Sequence, residues 1–279
     1  MKIKSTAEIS IETLNDAIAD NMEFDIIVQD NQNYPYGKKY NIFDMLRIKK
    51  EMQKFLSGCP AKDPNNPNSE KEIFAYIYTK LAYMVEYDEL ARDIRRDASK
   101  SFILYSRDYL QNASSLVGAM CEQSALCSGF AEALRNLLAE KGIEAKYVSG
   151  KKKSIGENNN SESHAWNQVK LDGEWYNCDI THDRKYIITE KEELPCFLKS
   201  NHNFPNYLKY PLDITPRIEA ATKNVSQVEQ IQLINRYRRQ VLNELNPVED
   251  SKGKQGFVKS LLKKLGIKKD SESEGRQFE

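Results

Sequence analysis

CSGFAEALRNLLAEKGIEAKYVSG (residues 127–150), followed after a polar break by HAWNQVKLDGEWYNCDITHD (164–183), is the part of the chain whose reading decides the fold. Phe130, Leu134, Leu137 and Leu138 recur at helical spacing, which predicts a helix starting within 124–128. Gly142 followed by Ile143 reads as its stop. AKYVSG (145–150) is strand-like, and KKKSIGENNNSES (151–163) is a polar loop. HAWNQVKL and EWYNCDIT alternate as strands do, and they flank Asp172-Gly173, a strong two-residue hairpin signal.

Outward from this centre the chain is helical. Ile73, Phe74, Ile77, Leu81 and Met84 predict a helix over 70–86, with Ser69 and Glu72 spaced as a capping box. Ile42, Met45, Leu46, Met52, Phe55 and Leu56 predict another that ends near Gly58. The Pro- and Asn-rich CPAKDPNNPNS between them reads as a loop. Residues 88–120 lack a clean period. Residues 185–220 hold four prolines in irregular text, and apolar positions 228, 231, 234, 237, 241 and 245 predict an amphipathic helix ending before Pro247. Helices followed by strands predict an α+β fold. The expected organisation is a helical extension over 1–68, a core over 69–220, and a C-terminal helix with a basic tail over 221–279.

Lys plus Arg and Asp plus Glu both number 41, so net charge is zero and nucleic acid is not an expected partner. No apolar run approaches a transmembrane span, and the N-terminal residues lack the apolar core of a signal peptide. Five cysteines, an odd number without paired spacing, and three histidines argue for a reducing, cytoplasmic setting and against a metal site. The stretch from Lys252 to Lys269 carries seven lysines and no acid, with Phe257, Leu261, Leu262 and Leu265 on one helical face. It reads either as a solvated terminus or as a membrane-surface or protein contact.

The chemistry-bearing residues converge. Cys127 opens the central helix, where the partial positive charge of a helix N-terminus favours a thiolate, and it shares a face with Phe130 and Leu134. A two-residue turn at Asp172-Gly173 pairs Leu171 with Glu174, which puts His164 opposite Thr181 and Trp166 opposite Asp179. His164 and Asp179 are then diagonal neighbours on one hairpin face, about 7–8 Å apart at Cα. Asp183 has the same parity and occupies the other diagonal if the ladder runs that far. Cys178 has the opposite parity, and Cys59, Cys121 and Cys196 lack any such setting, so these four read as structural. His182 and His202 read as loop residues.

These residues resemble the transglutaminase-like superfamily, particularly its bacterial peptidase and amidase domains. Cys127, Gly129, Phe130 and Ala131 fit its Cys-x-Gly-aromatic-Ala block. His164, Ala165, Trp166 and Asn167 fit its His-Ala-Trp-Asn strand. Gly173, Trp175, Tyr176 and Asp179 fit its third block, which favours Asp179 over Asp183. CFLKSNHNF (196–204) resembles a segment that follows the triad, and the likeness covers roughly 70–210. One departure is His182 after Thr181, where many relatives carry Trp.

The resemblance implies a papain-like α+β core with the nucleophile helix on an antiparallel sheet. It implies a Cys127–His164–Asp179 triad acting through a thioester on a peptide or protein substrate, with hydrolysis ranked before transamidation and no cofactor. The Cys127 backbone N–H is the default oxyanion donor, Gln123 and Tyr87 are candidate side-chain donors, and Trp166 and Trp175 are candidate site walls. A scaffold that keeps this fold without turnover, and an effector exported without a cleaved signal, are the readings from other classes.

Overall fold

The computed structural model describes residues 40–97, 106–153, 161–204, 207–209 and 221–245. The basic stretch 252–269 and the extension before residue 40 lie outside them.

Helix α1 (Ile42–Leu56) starts with a reciprocal capping box between Asn41 and Asp44 and buries Ile48, Met52 and Phe55. Helix α2 (Ser69–Met84) is the centre of the molecule, buried on nearly every side. The capping box expected at Ser69 does not form. An Asn66 turn takes its place: Asn66 Oδ1 accepts from Asn68 N–H, and Ser69 N–H donates to Asn66 O. Ser69 becomes the first helical residue, and the Glu72 carboxylate turns to Asn66 Nδ2 and Arg236.

Strand β1 (Glu86–Tyr87) pairs in parallel with β2 (Ser124–Ala125). Between them lie α3 (Glu89–Arg96), capped by Asp88, then α4 (Ser106–Ala113) and a π-helical turn over Val117–Glu122. These account for the described part of the stretch where the sequence has no clean period.

Helix α5 (Cys127–Glu140) ends as expected. Gly142 takes φ +69°, and the N–H groups of Gly142 and Ile143 donate back to Ala139 O and Leu138 O. The expected single stripe splits. Phe130 and Leu134 enter the main core, whereas Cys127 and Ala131 pack against Tyr147 and Ala165 of the sheet. The helix is sandwiched, so it needs two apolar faces. Gly129 makes this possible: a Cβ there would stand 2.9 Å from Ala113 O and from Ser115 O.

The sheet contains β3 (Ala145–Lys153), β4 (Ser161–Leu171), β5 (Glu174–Cys178) and β6 (Tyr207–Lys209), in the antiparallel order β5-β4-β3-β6. The hairpin register is the expected one, Leu171 opposite Glu174, with Asp172 and Gly173 both at positive φ. The expected strand through Thr181 is not found. Pairing stops at Asn167–Cys178, and Asp179 caps helix α6 (Ile180–Ile188) by accepting from His182 N–H. An aspartate followed three residues later by an available N–H is an N-cap signal as well as strand text, and here the cap wins. His182 therefore lies on a helix, not in a loop.

Helix α7 (Gln227–Leu245) packs on α2 through Leu233, Ile234, Tyr237 and Val241, while Val228 of the expected stripe is 67% exposed. No helix among the described residues is long and apolar enough to cross a membrane.

Candidate active site

The N-terminus of α5 abuts the sheet at His164. On β3, Gly150 is paired with His164, so β3 itself sets no side chain opposite the imidazole. Cys127, 4% exposed, shares a side-chain hydrogen bond with His164. His164 Nε2 lies 2.7 Å from Asp179 Oδ2, which leaves Nδ1 for the thiol. The three residues thus form one line. The route differs from the expected one: Asp179 reaches His164 as a helix cap at the strand's end, not as a diagonal member of a longer ladder.

Asp179 is itself held on both oxygens. Oδ2 also accepts from Tyr207 Oη at 2.6 Å, with Lys152 Nζ 3.6 Å away. Oδ1 accepts from Thr181 Oγ1 at 2.5 Å and from His182 N–H at 3.3 Å. Burial alone would push this carboxyl up, but the His164 charge and hydrogen bond, with Lys152 and Thr181, hold it far below the carboxylate range. Burial would likewise neutralise His164; the Asp179 charge, then Cys127, push the imidazole up to about 10. For Cys127, burial works against ionisation, yet His164, Arg95 and the Ala165 backbone together bring the thiol below its ordinary value. Both shifts run in the direction that favours a thiolate–imidazolium pair over two neutral groups.

The other cysteines go the opposite way. Burial pushes Cys59 and Cys121 up to about 11, and Cys178 and Cys196 are raised as well. None of the five is in a disulfide.

A cleft of about 190 Å³ opens onto Cys127 and His164, with Tyr87 and Leu126 on its wall. Burial and the neighbouring Cys127 charge raise the Tyr87 phenol, which keeps it protonated and able to donate. Gln123 is elsewhere. It is exposed, has φ +54°, and lines a separate pocket with Lys80 and Glu244. Neither tryptophan lines the cleft. Trp166 is buried behind His164 with its ring against Tyr207 (centroids 5.2 Å apart). Trp175 sits by the hairpin turn, with Lys146 Nζ 4.7 Å over its ring.

Asp183 does not approach the imidazole as a partner. It is fully buried in α6, accepting from Tyr78 Oη at 3.0 Å and Cys196 N–H at 2.9 Å. His182, Asp183 and Cys196 bring possible metal-ligand atoms within 4.8 Å of one another, but both Asp183 oxygens already accept these protein bonds.

Sequence reasoning missed Tyr207, Thr181 and Lys152. Thr181 could have been found from its position two residues after a capping aspartate. Tyr207 is one of 15 tyrosines in irregular text and carries no local signal.

A thiol-bearing helix against an antiparallel sheet, with a histidine–aspartate pair at the sheet's edge, defines the class as an α+β protein of transglutaminase-like fold. Residues 56–180 match the profile of the Transglutaminase-like superfamily, which is typically enzymatic and cysteine-dependent. Two solved structures are similar to the chain. A TGase crystal structure has 20% identity and a TM-score of 0.34, covering 61% of this chain and 37% of its own. A protein of Cytophaga hutchinsonii, described as a candidate cysteine protease, has 15% identity and a TM-score of 0.33, with 68% and 47% covered. This chain therefore spans less than half the length of either. No curated protein matches it.

Proposed function

We propose that the protein is an acyl-transfer enzyme that hydrolyses a peptide or amide bond through a thioester on Cys127. The observation that carries this reading is the buried line of Cys127, His164 and Asp179, with His164 Nε2 2.7 Å from Asp179 Oδ2, and the thiol shifted down and the imidazole shifted up are consistent with it. Cys127 Sγ attacks the carbonyl carbon, and the carbonyl π electrons move to oxygen. The Cys127 backbone N–H and the Tyr87 hydroxyl are the proposed donors to that oxyanion. His164 then gives its proton to the leaving amine, the C–N bond breaks, and a thioester remains. With neutral His164 as base, water adds to the thioester, and the thiolate leaves with the carboxylic acid formed. Asp179 keeps Nε2 protonated so that Nδ1 does the proton transfer.

An amine entering in place of water would give transamidation, so the acceptor separates the two outcomes. The test is intact-protein and peptide mass spectrometry after incubation with glutamine- and peptide-based electrophiles, with and without a primary amine. Adduct on Cys127, absent in Cys127→Ala, is expected. Adducts spread over Cys59, Cys121 and Cys196 instead would sink the proposal. Release of the amine-capped product would convert hydrolysis to transamidation.

A further inference from the structure

The wall of the cleft facing Cys127 carries an unusual concentration of one side chain. Arg92, Arg95 and Arg96 stand at i, i+3 and i+4 of α3 and so share one helix face. That face lines the same cleft as Cys127 and His164. The chain as a whole is neutral, so the cluster is local. The Arg95 charge reaches the reacting sulfur, where it helps to lower the thiol. Arg92 is engaged by Glu89 and Asp93 of its own helix. Among the described residues Glu162 is the one carboxylate that lines the cleft, and it is ion-paired with Arg96, both side chains being about half exposed (49% and 56%). Such an exposed pair is weak and exchanges readily with another carboxylate. A guanidinium fork offers bidentate geometry to whichever carboxylate arrives. The described part of the cleft holds about 190 Å³.

We infer that the acyl donor is an acidic peptide, its carboxylate beside the reacting carbonyl replacing Glu162 on Arg96, with the Arg95 charge nearby. This rests on the reading of Cys127 as the nucleophile.

Two small reagents separate the claims. Iodoacetate and iodoacetamide both alkylate a thiolate with loss of iodide, and they differ in charge. Their rate ratio at one cysteine is therefore independent of how much thiolate is present, and a change in thiol ionisation on mutating Arg95 cancels. Rates are read at neutral pH on the full chain by peptide mass spectrometry, with Cys59 and Cys121 as references in the same tube. The iodoacetate/iodoacetamide ratio at Cys127 is expected to exceed the reference ratio by about tenfold or more. Arg95→Gln with Arg96→Gln should bring it down severalfold, Arg96→Lys should retain part of it, and Glu162→Gln should raise it. A ratio at Cys127 equal to that at Cys59, or one unmoved by the double Arg variant and by Glu162→Gln, overturns the acidic-substrate inference while fast iodoacetamide labelling leaves the nucleophile intact. Slow labelling of Cys127 by both reagents overturns the nucleophile reading and this inference with it.

Discussion

Asp179 stands at the junction of three demands: it ends a strand, caps a helix and partners His164. Its two oxygens accept from His164, Tyr207, Thr181 and the His182 N–H, so it has no spare site for a rearranged partner. Asn at this position keeps the size and places an amide N–H₂ against groups that donate. The expected result for Asp179→Asn is a fall in kcat/KM of roughly 10³–10⁴ with far-UV circular dichroism unchanged, the scale seen when a triad aspartate loses control of its histidine tautomer. Asp183→Asn acts on a different quantity. It weakens the bonds to Tyr78 and the Cys196 N–H, so stability should fall by about 1–3 kcal/mol while kcat/KM changes much less. A dead Asp183→Asn with an active Asp179→Asn would reverse the assignment. The sequence left these two carboxylates separable only by resemblance; in the structure, pairing stops before Asp179 and Asp183 turns inward on α6.

At the scale of elements, the text around residues 127–150 and 164–178 was the most legible. The Asp-Gly turn fixed the register because its two residues adopt positive φ, which few other pairs accept. Beyond Cys178 the alternating pattern misled. Three residues of strand text, DIT, also read as the start of a capped helix, and nothing local tells the two apart. The cap is decided by the tertiary bonds to Asp179. Strand β6 and Tyr207 were invisible for the complementary reason: three residues paired to β3 have no period to read. The tight seat of α5 is testable through Gly129, whose Cβ would meet two backbone carbonyl oxygens at 2.9 Å. Neither oxygen is the end of a flexible side chain, so the helix must shift. Gly129→Ala should cost about 1–3 kcal/mol in denaturant unfolding, despite alanine's better helix propensity. A neutral or stabilising effect would show that α5 sits more loosely.

For the whole molecule, α1, α2 and α7 join the core that carries the site. Lys80 on α2 is buried, and its Nζ donates to Phe55 O at the end of α1, to Tyr76 Oη and to Glu244 on α7, at 2.6–2.8 Å. This contact lies far along the chain from the site residues and had no sequence signal, since it links positions 164 apart. Glu244→Ala leaves the Lys80 charge with two neutral partners; the expected loss is roughly 1.5–3 kcal/mol, read as a lower urea midpoint with an unchanged m-value. An unchanged midpoint would mean that α7 adds little to the core.

The central claim is that Cys127 is ionised at neutral pH because His164 and Asp179 make it so. The direct measurement is the iodoacetamide rate at each of the five cysteines from pH 6 to pH 9, resolved by peptide mass spectrometry on the native chain. With its thiol below the ordinary value, Cys127 should react fastest at pH 7, and its rate should flatten as pH rises. Cys59 and Cys121, pushed up to about 11, should be slow and climb about tenfold per pH unit throughout. In His164→Ala, Cys127 should lose its plateau and join them. Contradiction would be Cys127 reacting no faster than Cys59 near neutrality, or a plateau that survives the loss of His164.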